Sequence, residues 1–258
     1  MNTDTQPHVV LTREGPIATI RFNRPERRNA LSFPLLSGFR DLLAEVGASD
    51  ARVLVVRGEG NDFCVGADVN GGEDRKVPGF DELASFYDTG RVLHELPQIT
   101  IAAIDGGCAG PGLAWACACD FRFASERAVF NTAFLNVGVP GEMGLTWSLA
   151  QVVGPAWTRE LLLFPGKFDA AAAHRMGLVT RLFPNDRLHA ETIAAAEVLT
   201  RHYGPALRAA KQNLLAAETL GLGAFIAIEG ERHARIAAEP ARLEGFRAFA
   251  EKRPPKFD

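Results

Sequence analysis

The sequence predicts an α/β protein whose N-terminal part alternates strands with helices and whose C-terminal part is helical. Three observations lead there. Two short, β-branched apolar runs, Val53–Gly58 and Ile99–Ile104, each lead into a glycine-rich turn, which favours buried strands over buried helices. Strand and helix signals alternate around them, the pattern of crossover units on a largely parallel sheet. After about Gly154 the chain shifts to Ala-rich segments of helical length.

In chain order, Val9–Thr12 and Ile17–Phe22 flank Arg13-Glu-Gly-Pro16, a hairpin signal with Gly15 and Pro16 in the turn. A basic loop, Asn23–Asn29, follows. Ser32 can cap a helix over Phe33–Val46 with Pro34 near its start; Leu35, Phe39, Leu42, Leu43 and Val46 form its apolar stripe. A helix is expected over Asp81–Leu96 and a strand-like segment over Val129–Phe134. A further helix is expected over Gly144–Val153. Beyond Gly154, helices are expected over Pro155–Leu163, Ala170–Met176, Asp186–Thr200, Pro205–Thr219, Leu222–Ala237 and Glu239–Ala250. Leu178–Phe183 is the one strand expected among them.

The 258 residues, 47% of them hydrophobic, suffice for one large domain or a domain with an appendage. The net charge is −3 and no basic run is long enough to line a phosphate backbone, so nucleic acid is not an expected partner. Cys64, Cys108, Cys117 and Cys119 form no Cys-x-x-Cys pair and the histidines are scattered. Reduced thiols and no metal site are therefore expected. Met1–Gln6 lacks the basic and apolar regions of a leader, and no apolar stretch reaches the ~20 residues that span a bilayer. The expectation is a soluble, cytoplasmic protein without a membrane partner.

The chemistry concentrates in the two turns, Glu59–Asp68 and Asp105–Gly112. A turn that bares backbone N–H groups can polarise a carbonyl without a metal or a charged side chain. Pro111, inside the second turn, has no N–H to offer, although proline suits the first position of the helix that follows. Glu142 sits in an apolar, glycine-rich loop, Pro140–Gly144. Desolvation there would raise its pKa and suit it to carry protons; a solvated loop residue or a helix cap is the alternative.

Asn23–Leu31, Phe63–Asp68, Ile104–Asp120, Gly138–Gly154, Ala170–Pro184 and the tail Phe249–Arg253 together resemble the crotonase (enoyl-CoA hydratase/isomerase) superfamily along almost the whole chain. The resemblance implies a spiral of ββα units over residues 1–195. It also implies a helical region over 196–258 that builds a homotrimer or a dimer of trimers. The implied substrate is an acyl-CoA thioester, with no tightly bound cofactor and coenzyme A entering as part of the substrate.

By position, the resemblance makes the Ala67 amide the first oxyanion donor and places the second within Gly110–Gly112, with Pro111 where the family usually has the donating residue. The family's two hydratase glutamates correspond to Ala114 and Phe134, so two-glutamate hydration is not expected. Glu142 matches an aspartate of some isomerases and a dehalogenase, and is the expected catalytic group. Arg24, Arg27 and Arg28, with Lys252 and Arg253 of a neighbouring subunit, are expected near the CoA phosphates. Cys64, Gly66 and Asp68 are expected along the cofactor path. Tyr87, Ala114, Trp115 and Phe134 are expected at the acyl pocket. Core packing remains open for Tyr87, Trp115 and Trp147, and His94 is expected to be packed or exposed. Two other readings stay open: a carbon–carbon bond hydrolase of the same fold that does not use CoA, and a non-catalytic paralogue that binds acyl-CoA or a partner subunit.

Overall fold

A computed structural model describes residues 6–68 and 79–257. Of the stretch read for a leader, Met1–Gln6, residues 1–5 lie outside them. The chain begins with the hairpin β1 (Val9–Glu14) and β2 (Ile17–Phe22), paired antiparallel around Gly15. Helix α1 (Phe33–Gly47) starts where Ser32 accepts a hydrogen bond from the Leu35 N–H, and it buries Leu35, Phe39, Leu43 and Val46. Then come β3 (Val53–Gly58), α2 (Phe80–Tyr87), α3 (Thr89–Glu95), β4 (Ile99–Ile104) and β5 (Gly107–Ala109). Next are α4 (Pro111–Ala118), β6 (Phe121–Ser125) and β7 (Val129–Asn131). Helix α5 (Leu145–Leu163) is kinked at Gly154, whose φ of 75° and ψ of 170° are not helical. The two helices expected there meet at that residue. The chain ends with β8 (Phe168–Asp169), α6 (Ala170–Arg175), β9 (Arg181–Phe183), α7 (Leu188–Thr200), α8 (Gly204–Ala217), α9 (Leu222–Ala237) and α10 (Ala241–Ala250).

A six-stranded sheet has the order β1-β2-β3-β4-β6-β9, and every pair after the first is parallel. A smaller sheet has the order β5-β7-β8. Alternation along the strands divides the core. Ala18, Ile20, Leu54, Val56, Ala102 and Ile104 pack with Leu35, Phe39, Leu93 and residues 113–118 of α4. Their neighbours Ile17, Val53, Val55, Ile101 and Ala103 face Leu188 and Ala196 of α7 on the other side. Because the strand period is two, β3 and β4 are apolar at nearly every position.

Several elements differ from expectation. The helix expected over Asp81–Leu96 divides at Asp88, where the Thr89 hydroxyl donates to the Phe86 carbonyl. The strand expected over Val129–Phe134 stops at Asn131. Ala133 takes a left-handed φ of 62°, and Phe134–Val137 form a short 3-10 helix. Leu178 and Val179 are buried before β9 begins, and the Leu178 carbonyl accepts from the Arg122 guanidinium instead of a strand neighbour. The expected domain boundary at 195/196 falls inside α7, which packs on the large sheet.

Candidate active site

Both glycine turns leave the carboxyl ends of neighbouring parallel strands, one after β3 and one after β4, and they are stitched together. Phe63 N–H donates to the carbonyls of Asp105 at 2.7 Å and Gly107 at 3.1 Å, and Ala109 N–H donates to Cys64 O at 3.0 Å. The approach is so close that a Cβ on Gly112 would lie 2.4 Å from the Cys64 carbonyl oxygen; only glycine fits there. Gly66, at φ +95°, faces the second turn, and a Cβ there would meet the Ala109 carbonyl at 3.2 Å and Pro111 Cδ at 3.6 Å. Pro111 therefore does more than remove a donor: the ring carbon that replaces the amide hydrogen points toward the first turn. Ala67 is exposed, and among the described residues its N–H makes no hydrogen bond. The Gly110 N–H is already spent on Asn131 O at 3.1 Å.

A polar clamp beneath the turns was not foreseen from the sequence. Asp62 accepts from Arg28 Nε at 2.9 Å, from Arg28 Nη2 at 2.8 Å and from the Gly107 N–H at 2.7 Å. Burial pushes the Asp62 carboxyl up, but the Arg28 bonds, the Gly107 amide and the guanidinium charge outweigh it and hold it below the usual range. Fully buried Asn29 donates to the carbonyls of Glu59 and Asp62 at 2.9 and 2.7 Å and accepts from the Arg24 N–H at 2.9 Å. Basic loop, first turn and second turn thus form one unit. The signal in the sequence was slight: an Asn and an Asp, residues common in any loop.

The clamp also sorts the basic cluster. Arg28 is engaged by Asp62, and Arg24 donates to Ala30 O at 2.6 Å and to Asp68 at 3.3 Å. Among the described residues Arg27 is the member of the trio whose exposed guanidinium makes no hydrogen bond. Lys252 is exposed in the tail, whereas Arg253 pairs with Glu244 and Glu251.

Beside the turns lies a cleft of about 470 Å³ lined by Tyr87, Phe134, Val139, Pro140, Gly141, Glu142 and Met143. Three residues expected at the site, Tyr87, Phe134 and Glu142, are brought together in it. The Phe134 ring forms the wall shared with the second turn: it lies 3.8 Å from a Cβ built on Gly110 and 3.7 Å from one built on Gly141. The loop carrying Glu142 is held against α3, because Gly90 lets the Met143 carbonyl approach to 2.2 Å of where its Cβ would be. Helix α5 starts beyond Glu142, at the capping residue Gly144, so the Glu142 side chain is not a helix cap. Among the described residues its carboxylate makes no hydrogen bond, and desolvation raises its pKa. The Tyr87 hydroxyl is likewise unbonded among the described residues; burial and then the nearby Glu142 charge raise its pKa, so the phenol keeps its proton.

Other expectations need correction. Trp115 is not a pocket wall: fully buried, it packs between Phe22 and Phe39, with its Nε1–H donating to Thr89 Oγ1 at 2.9 Å. Ala114 is fully buried one residue earlier in α4 and does not line the cleft. The Cys64 thiol is sealed in the core and pushed up to about 12 by burial; its backbone joins the turns instead, the N–H donating to Gly107 O at 3.1 Å and the carbonyl accepting from Ala109. Trp147 is exposed and stands edge-on to His94, which bonds Glu218 at 2.9 Å.

The site thus sits on a mostly parallel α/β sheet, with paired glycine turns and a carboxylate in the adjoining cleft. The family model described as enoyl-CoA hydratase/isomerase matches residues 12–258. The 2,3-dehydroadipyl-CoA hydratase of Escherichia coli is 32% identical over 255 residues, covering 96% of this chain and 98% of its own length. The crystal structure of an enoyl-CoA hydratase from Bacillus anthracis superposes with a TM-score of 0.92 at 28% identity, covering 97% and 98% of the two chains. DspI of Pseudomonas aeruginosa gives 0.91 at 28% identity over the full length of both. The chain belongs to the enoyl-CoA hydratase/isomerase family, the crotonase superfamily, and has its fold. Among the described residues no helix is long and apolar enough to cross a membrane.

Proposed function

We propose that this protein is an acyl-CoA enzyme that moves a proton along the acyl chain, an isomerase-type reaction, with Glu142 as the shuttling group. One observation carries the reading: Glu142 is a carboxylate without a hydrogen-bond partner among the described residues, desolvated in a cleft next to the carbonyl-polarising turns. A 3-enoyl thioester illustrates the step. Glu142 takes a proton from the carbon next to the thioester carbonyl, and the C–H electron pair becomes a conjugated enolate with its charge on the thioester oxygen. The same carboxyl returns the proton at the far end of the allylic system, leaving the 2-enoyl product. No water is consumed, which suits a site with Ala114 and Phe134 where hydration needs two acid–base groups. The Ala67 N–H holds the oxygen, and Arg27 is the nearest candidate for a CoA phosphate. Coenzyme A comes and goes with the substrate, and no other cofactor takes part.

A panel of 3-enoyl-CoA thioesters tests this by the rise of the conjugated product. Glu142→Gln should abolish turnover and leave retention on immobilised CoA unchanged. Full activity in that variant overturns the role of Glu142. A wild-type protein that is not retained on CoA fits the carbon–carbon hydrolase instead, and one that is retained but converts no thioester fits a binding paralogue.

A further inference from the structure

Tyr87 is the second polar group of the cleft. Of the seven residues lining it, only Tyr87 and Glu142 carry polar side-chain atoms, and neither is hydrogen-bonded among the described residues. Tyr87 ends α2, and its ring stacks on Phe80 with centroids 6.2 Å apart. Tyr87 is half-buried and lines the cleft beside Glu142. Another wall is the Phe134 ring, which reaches from the Glu142 loop to Gly110. An O–H dipole in an apolar cleft costs free energy unless something accepts from it. The reaction creates such an acceptor, because removing a proton leaves negative charge on the acyl group. At the position where the family usually donates, Pro111 has no N–H, and the Gly110 N–H before it is committed to Asn131.

We infer that Tyr87 is a catalytic residue, its O–H donating a hydrogen bond to the enolate that forms when Glu142 takes the proton and standing in for the backbone donor absent at Pro111. The inference rests on the proton-shuttle reading above. No proton leaves Tyr87: it is a donor throughout, while Glu142 alone takes and returns the proton. Its shifted pKa agrees, since the phenol stays protonated well past neutrality. A donor acting on charge that exists only in the transition state raises kcat and leaves ground-state binding alone.

The test compares wild type, Tyr87→Phe and Glu142→Gln on the best-converted member of a panel of 3-enoyl-CoA thioesters. Removing one such donor typically lowers kcat by ~100-fold, so Tyr87→Phe should lose about that much with KM and CoA affinity unchanged. Incorporating 3-fluorotyrosine at position 87, a more acidic phenol, should bring the alkaline fall in kcat to lower pH, which a packing role would not do. A kcat for Tyr87→Phe within twofold of wild type overturns the inference while leaving the shuttle standing. So does a loss matched in KM and CoA affinity. Wild type that binds CoA but converts no member of the panel overturns the shuttle and the Tyr87 assignment together.

Discussion

Glu142 keeps an ionisable group in a cleft that offers it no hydrogen bond among the described residues, and that arrangement costs stability. Its pKa is raised in the folded chain, so the folded state holds the proton more tightly than the unfolded one. Stability attributable to this residue therefore falls as pH rises from the ordinary carboxylate range, about 4.3, through the raised value, and the cost persists above it. Glu142→Gln should melt at a higher temperature than wild type at pH 7–8, with the gain vanishing below about pH 4. Thermal melts across that range measure it; a gain independent of pH would mean that the charge is not its origin. The sequence made Glu142 legible because a lone carboxylate in a run of Pro, Gly and Met has few other uses. Trp115 and Ala114 were not legible, for a physical reason. Helix α4 is apolar on every face and all eight of its residues are buried, so no polar stripe told which side met the cleft and which met the core.

At the scale of elements, the second turn shows how helix formation and catalysis compete for one position. Pro111 is the first residue of α4, where a missing N–H costs the helix nothing, yet it leaves the turn with no amide at that position. Pro111→Gly should weaken folding by about 0.4–1 kcal/mol through the freer unfolded chain and should raise kcat by restoring an amide toward Gly66. Denaturant melts and initial rates on the same sample separate the two effects; unchanged kcat would show that the thioester oxygen does not sit at this amide. The clamp below is the complementary case. Asp62→Ala would leave the Gly107 N–H and Arg28 without their acceptor, and should cost about 1–3 kcal/mol. Since Asp62 is held below its ordinary pKa, its contribution is present above about pH 4 and is lost as pH falls through the lower folded value. The gap between Asp62→Ala and wild type should accordingly narrow in acid; a gap that stays constant would assign the loss to packing. Strands and caps such as β3, β4 and Ser32 were legible because local pattern decides them. The 3-10 turn at Phe134 and the shortened β9 were not: Ala133 takes a left-handed φ that no local propensity signals, and the Leu178 carbonyl is taken by Arg122, 56 residues earlier.

The whole molecule presents two unlike surfaces. The N-terminal strands bury their apolar residues on both faces of the sheet, while α8 to α10 leave large ones in solvent: Leu214 at 63% exposure, Leu222 at 74%, Phe246 at 64% and Phe249 at 85%. Phe246 and Phe249 line a groove of about 630 Å³ together with Tyr203, Ile236 and Phe257. Exposed apolar side chains in such number are uncommon on a monomer, and the trimer or dimer of trimers that the family resemblance implies is directly measurable. Light scattering should give three or six times the chain mass, and Phe246→Asp with Phe249→Asp should lower it, because a charge cannot be buried in that groove without a partner. If Lys252 reaches a neighbour's coenzyme A, the dissociated variant should also bind CoA more weakly, and the salt dependence of wild-type binding should be shallower in the variant. Equal affinity and equal salt dependence in the two would confine the phosphate contacts to Arg27 and the rest of its own subunit.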